Sequence, residues 1–470
     1  MNNSDFKKYA HELSDWMANY LDTIDTLPVK PDIQPGNIAA QLPKQAPTDS
    51  ESFDRIFDDF KSIIVPGMTH WQHPGFFGYF PSNNSEPSIL AEMLTATMGA
   101  QCMVWLTSPA AEELETRMME WLRTMIGLPP SFTGVIQDSS SSSVLVALIT
   151  AREKKSGYRI NKEGYSGERF RVYASSQVHS SVDKGVRAAG IGIDNLVKID
   201  TDENFAMIPA LLESAIKKDI AAGYTPLFVV STIGTTSSTA IDPVAAISGI
   251  CKQYDCWHHI DASYAGTALL LPEMRWMSNG VDSVDSFVFN PHKWMFTNFD
   301  CSAYFVKDKN ALINTFTISP EYLKTAQDSV VCNYRDWGIP LGRRFRSLKL
   351  WFVIRSYGVS GLQEVLRSHI ANGQWFKNAV DTTPGFERMA PAPLNLICFR
   401  YKPEGMTDQA DIDAFNMKLM QRLNDSGTML LTHTKLNNRF AIRFVAAQTH
   451  SKLEHVQAAW KTIQKTAEEL

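Results

Sequence analysis

Asp285-Ser-Phe-Val-Phe-Asn-Pro-His-Lys-Trp294 decides the reading of this chain. Ser286 to Phe289 has the pattern of a short apolar strand, and Asn290-Pro291 must end it, because a proline cannot continue a ladder. Just past that turn Lys293 stands between His292 and Trp294, with Met295 and Phe296 following. Apolar, aromatic surroundings disfavour a lysine's charged form and leave an amine able to attack a carbonyl. The plainer alternative is a lysine whose stem lies along a loop while its head stays in water. The neighbouring sequence decides between them.

Around this stretch, from residue 134 to 306, short β-rich runs alternate with helical segments. The runs are 169–174, 196–199, 227–232, 257–261, 287–289 and 303–306; helices are expected over 208–222 and 242–254. In the second helix Asp242-Pro243 reads as cap and first turn, with Val244, Ile247, Cys251 and Tyr254 on one face. Such alternation implies a mostly parallel sheet covered by helices on both sides, with ligands beyond the carboxyl ends of the strands.

Farther out, residues 4–24 carry a helical stripe of Phe6, Tyr9, Leu13, Trp16, Met17, Tyr20 and Leu21. Five prolines between 28 and 47 make the next stretch a tether, so the helix is an arm packed on a second subunit or back on its own chain. Residues 68–81 are rich in aromatics, glycine and proline, which suits a pocket for a flat apolar ligand or a plug at one end of the core. Helices are expected at 88–100 and 108–126, an irregular stretch at 308–345 and a helix at 348–357. The tail alternates helices (411–424, 452–468) with strands (394–401, 429–431, 439–445), a second and smaller α+β unit.

Bulk properties fit this picture. A chain of 470 residues, 44% hydrophobic and 20% charged, is globular and long enough for two or more domains. A net charge of -5 leaves no footprint for nucleic acid or an anionic membrane surface. No apolar run approaches the roughly 18 residues of a membrane span. The amino terminus lacks the basic-then-apolar order of an export signal. Six scattered cysteines without paired metal spacing point to reduced thiols and a cytoplasmic location.

Four features fall where the sheet places a site. Asp138-Ser-Ser-Ser-Ser-Ser143 precedes an apolar helix, where hydroxyls and backbone N–H groups suit a phosphate; a flexible serine linker is the alternative. Gln177-Val-His179 follows one strand, and Ile233-Gly-Thr-Thr236 another. In His258-His-Ile-Asp261-Ala-Ser263, Asp261 ends a run buried on both faces, and a buried carboxylate requires a partner. A protonated ring nitrogen would serve. His259 shares a strand face with Asp261, so a metal pair is the rival, although no third ligand has a clear spacing. A phosphate cradle, a carboxylate, an imidazole and a lysine in one α/β domain are what pyridoxal 5'-phosphate requires.

Asn290-Pro-His-Lys-Trp294, His258-His-Ile-Asp-Ala-Ser-Tyr-Ala-Gly266 and the 340–351 segment resemble the group II pyridoxal-phosphate-dependent amino acid decarboxylases. The 71–81 segment resembles the aromatic-L-amino-acid (dopa) branch. The resemblance covers nearly the whole chain and implies an α/β fold of the PLP-dependent transferase type I. Its parts would be an N-terminal helical arm and linker (1–80), a large cofactor-binding domain with a mostly parallel seven-stranded sheet (81–350) and a small C-terminal α+β domain (351–470). It implies a homodimer with shared active sites and the arm wrapped over the partner, no metal, and decarboxylation of aromatic L-amino acids to arylalkylamines.

By position, Lys293 would attach the cofactor, Asp261 would hold the pyridine nitrogen, and His179 would stack on the ring. Ser139, Ser140 and Asn290 would contact the phosphate, with His292 and Thr236 flanking. Trp71, Tyr79, Phe80, Pro81 and Ser82, with Met103 from the other subunit, would take the substrate. Tyr322, in a segment resembling the family's mobile catalytic loop, would return a proton to the substrate carbon. The presence of both Tyr322 and His179 favours decarboxylation over the oxidative deamination of aldehyde-forming relatives, and Gly342 leaves room for an indole. Ser263 stands where the family usually has Ala, and Met103 where animal dopa decarboxylases have Phe. The rivals are an acetaldehyde synthase, a metal hydrolase built on His259 and Asp261, and a catalytically dead interaction protein.

Overall fold

The computed structural model describes residues 1–318 and 331–470. They form two compact units, one of Met1–Pro81, Asn372–Met389 and Ile397–Leu470, the other of Ser82–Ala371 and Ala390–Leu396.

The larger unit holds seven strands: β1 (Thr133–Gln137), β2 (Phe170–Ser175), β3 (Leu196–Ile199), β4 (Thr225–Thr232), β5 (Trp257–Asp261), β6 (Ser286–Phe289) and β7 (Ser302–Val306). Their order is β1-β7-β6-β5-β4-β2-β3. From β6 through β3 neighbours run parallel, and β7 lies antiparallel between β1 and β6. Successive side chains point to opposite faces, and both faces are covered. Val172, Val230 and Val288 pack with Val144 and Leu148 of the helix Ser140–Lys155. Tyr173 and Val229, one residue away, pack with Leu212, Ile216 and Ile247 on the other side. The mostly parallel, doubly covered sheet expected from the alternation is therefore present.

β1 was absent from the sequence-derived runs because Gly134 lacks the side chain that marks a strand. The glycine is there for room: a Cβ at 134 would stand 2.8 Å from Cδ1 of Phe305, its cross-strand partner on β7. A second correction concerns Asp242. The helix runs Val244–Gln253 and Asp242 does not cap it. Its buried carboxylate instead accepts the N–H groups of Met207 and Thr232, each at 2.7 Å, while burial pushes its pKa up to about 6. Both oxygens are needed as acceptors, and an amide nitrogen cannot be one. Asp242→Asn is therefore expected to cost about 1–3 kcal/mol in urea denaturation. The 308–345 stretch, expected to be irregular, contains the helix Lys309–Phe316, whose first turn Asp308 caps through Ala311 N–H at 3.0 Å.

The smaller unit contains a four-stranded sheet in the order β10-β11-β9-β8. The strands are β8 (Phe386–Arg388), β9 (Leu396–Tyr401), β10 (Thr432–Leu436) and β11 (Arg439–Val445). Residues 429–431 are not the strand they resembled; Leu430 makes an isolated bridge to Phe76 and the ladder starts at Thr432. Phe376, stacked 3.8 Å from Phe444 and edge-on to Trp460, anchors the core. The amino-terminal helix Asn3–Thr23 has no buried residue and leaves Phe6 exposed, and part of its aromatic stripe touches its own chain. Trp16 meets Phe57 and Phe60, and Tyr20 Oη lies 2.7 Å from Nδ1 of His70.

Candidate active site

The carboxyl ends of β2, β4, β5 and β6 and the helix start after β1 meet at one edge of the sheet. There the chain places His179, Thr236, Asp261, Lys293 and Ser139–Ser140.

Asp261 is the last residue of β5 and is buried. Its Oδ1 accepts the Ser263 N–H at 3.0 Å and also the Ser263 hydroxyl. β6 ends one residue before Asn290, and Pro291 opens the single helical turn Pro291–Trp294 that carries Lys293. This turn is pinned from several sides. Lys293 N–H donates to Asn290 O at 3.0 Å, and Asn83 Nδ2 donates to Lys293 O at 2.8 Å. The next ring, Trp294, is fully buried, stacked 4.7 Å from Tyr264 at an interplanar angle of 7°, and donates its indole N–H to His369 Nδ1 at 3.1 Å. Burial lowers the Lys293 pKa from its ordinary value, opposed by the negative charge of Asp261. The expected shift toward a neutral amine is therefore present.

The serine run is a helix start, not a linker. Ser139 is the N-cap of Ser140–Lys155, its Oγ accepting Ser142 N–H at 3.3 Å. Ser140 Oγ donates to Asn290 Oδ1 at 2.7 Å, and Ser302 Oγ donates to the same oxygen at 2.7 Å. Hydroxyls thus converge where the opening N–H groups of a 16-residue helix lack intrahelical partners, a ready anion site.

His179 lies in the turn after β2. Its Nδ1 accepts Ser181 N–H at 3.1 Å, which puts the proton of the neutral ring on Nε2. Desolvation lowers its pKa, Asp261 opposes that shift and Lys293 adds to it, so the three groups share one electrostatic neighbourhood. His292 is buried, its Nδ1 accepts Cys301 N–H at 2.9 Å, and burial brings its pKa down to about 3. Thr236 is exposed in the turn after β4.

The other expected residues are distributed differently. Trp71, Tyr79, Phe80 and Pro81 belong to the smaller unit, where Trp71 lies 4.5 Å from Phe76 and 5.8 Å from Tyr79, and Arg443 sits over Phe80. Ser82 and Met103 belong to the larger one. Tyr322 lies outside the described residues. His259 is held as a core residue: fully buried, its Nδ1 2.8 Å from Ser286 Oγ, its ring against Phe228, its pKa pushed down to about 4 by desolvation. Among the described residues no three His, Cys, Asp or Glu side chains are grouped to hold a metal ion.

Asn83 and Ser302 are site residues that sequence reasoning missed. Asn83 reaches a carbonyl 210 residues away, and Ser302 only shares an acceptor with Ser140, so neither has a local signature.

The side chains present fit pyridoxal phosphate: a lysine with a depressed pKa, a buried carboxylate whose Oδ2 takes neither Ser263 hydrogen bond, and a hydroxyl-lined helix start. Residues 35–402 match the pyridoxal-dependent decarboxylase conserved domain. The aromatic-L-amino-acid decarboxylase of Sus scrofa is 42% identical, over 100% of this chain and 98% of that protein. The phenylacetaldehyde synthase of Arabidopsis thaliana is 41% identical, over 99% and 96%. The crystal structure of Oryza sativa TDC with PLP and tryptamine superposes with a TM-score of 0.97 at 38% identity, covering 100% of this chain and 99% of that one. With a match that spans most of its length and full-length relatives at such identity, the chain belongs to the pyridoxal-dependent decarboxylase family.

Proposed function

We propose that this protein decarboxylates aromatic L-amino acids to arylalkylamines and carbon dioxide in the cytoplasm, with pyridoxal phosphate bound at the edge where Lys293 and Asp261 meet. The observation that carries the reading is the placement, at one edge of the sheet, of Lys293 on the turn after β6, a buried Asp261 at the end of β5 and a hydroxyl-lined helix start bonded to Asn290. The aromatic substrate is supported by the pig relative's name and by the tryptamine in the rice structure.

Bound there, pyridoxal phosphate supplies an aldehyde for attachment and an electron-poor ring to accept the pair left by the departing carboxylate. Lys293 would provide the attaching amine, which desolvation keeps nucleophilic. Asp261 would hold the proton on the ring nitrogen. His179, with Nδ1 engaged by Ser181, would face the cofactor and offer its Nε2–H to the substrate carboxylate. Ser139, Ser140 and Asn290 would hold the phosphate, with His292 and Thr236 flanking the group. Trp71, Tyr79, Phe80, Pro81, Ser82 and Met103 are the proposed substrate contacts, and Tyr322 the proposed proton donor at the substrate carbon.

The phenylacetaldehyde synthase relative makes aldehyde formation the competing outcome. Product analysis with Trp, Tyr, Phe and dopa beside an oxygen electrode separates the two. Equal amounts of amine and carbon dioxide without oxygen uptake are expected; oxygen consumed and ammonia released in step with carbon dioxide would sink the decarboxylase reading.

We also propose that the working form is a homodimer. Leu90, Met93, Leu94 and Met98 line one side of the helix Glu86–Met98, and all are exposed on the single chain. Light scattering should give twice the 52.7 kDa chain mass. Leu94→Asp should shift the protein toward monomer and lower activity with it.

A further inference from the structure

Ser263 touches both ends of the proposed cofactor site. Its hydroxyl and its N–H both reach Asp261 Oδ1, which leaves Oδ2 as the oxygen available to a ring nitrogen. The same Oγ lies 2.7 Å from Ser140 Oγ, and Ser140 in turn donates to Asn290 Oδ1 at 2.7 Å. A continuous track of hydrogen bonds thus joins the carboxylate to the hydroxyls at the helix start. Ser263 carries one hydroxyl proton, and Ser140 gives its own to Asn290. The Ser263 proton therefore goes either to the carboxylate or to Ser140.

We infer that Ser263 is a positioning residue that keeps the proton shared between Asp261 and the cofactor on the ring nitrogen. The inference rests on the cofactor placement proposed above. A carboxylate that accepts two hydrogen bonds on one oxygen competes less well for a proton at the other, because hydrogen bonds to the charged form favour it. The two donors also fix the carboxyl torsion, so Oδ2 is aimed before any ligand arrives.

The test uses the full-length protein stripped of cofactor and titrated with 4'-deoxypyridoxine 5'-phosphate, which has the ring nitrogen and phosphate but no aldehyde for Lys293. The ultraviolet spectrum of the bound analogue reports whether its ring nitrogen is protonated. In Ser263→Ala the carboxyl torsion is released and Oδ2 is no longer aimed at the ring nitrogen, so the pH midpoint for loss of that proton should fall by about one unit, the equivalent of one charge-assisted hydrogen bond. Binding should weaken about tenfold. Ser263→Cys, which keeps the volume but donates poorly, should behave like Ser263→Ala, and Ser263→Thr should restore the parent midpoint. A merely structural role would loosen binding without moving the midpoint. An unmoved midpoint in Ser263→Ala or Ser263→Cys with analogue bound overturns this inference alone. A parent protein that binds no analogue overturns the proposed cofactor placement along with it.

Discussion

Lys293→Ala protein should fold normally, bind pyridoxal phosphate without covalent attachment, and lose at least on the order of 10³-fold in kcat/KM. The loss is large because the substitution removes the proposed attaching nucleophile itself. The turn Pro291–Trp294 holds Lys293 by backbone hydrogen bonds and a buried tryptophan, so removing the side chain leaves the turn in place. The measurement is hydride trapping followed by peptide mapping: label should sit at position 293 in the parent and nowhere in the variant. Retention of the cofactor's visible absorbance on another lysine would sink the assignment.

Asp261→Asn should be nearly as damaging, at about 10²–10³-fold in kcat/KM. An asparagine can still accept the Ser263 hydrogen bonds through its carbonyl oxygen, so the fold is kept. Its NH₂ group then faces the ring nitrogen as a donor, which favours the unprotonated ring and removes the electron sink. A second effect has a definite sign. The negative charge of Asp261 raises the Lys293 pKa against desolvation. Without it the lysine pKa in the stripped protein should fall further, so labelling by an amine-reactive reagent should extend to lower pH. An unchanged labelling profile would show that the two side chains do not sense each other's charge.

Much of the sheet was legible because parallel strands buried on both faces are written as continuous β-branched and aromatic runs. Residues 196–199 and 257–261 coincide with β3 and β5, and the remaining runs of that unit fall within two residues of the observed ends. Lys293, Asp261 and His179 stood out as candidates because each ends or follows a strand, where an open parallel sheet puts its ligands. The misreadings came from side chains whose partners are distant. Asp242 looks like a cap from its neighbour Pro243, yet β4 and Met207 claim both its oxygens. β1 has a glycine where Phe305 needs space. The 429–431 segment looked like a strand from its apolar composition, whereas β10 alternates half-buried and exposed residues up to a buried Leu436 and starts with a threonine. Asn83 could not be recognised at all, because its meaning depends on a carbonyl more than two hundred residues later.

The anchoring of the Pro291–Trp294 turn also bears on speed. With the peptide unit after Lys293 clamped by Asn83 and the adjacent indole wedged between Tyr264 and His369, the main chain at 293 is a stationary post. With the attachment proposed above, Lys293 Nζ would approach and leave the cofactor by rotating about the bonds of its own four-carbon stem. Rotation of a side chain is quicker than movement of a loop or of the backbone. The lysine would therefore need no rearrangement of the main chain that carries it.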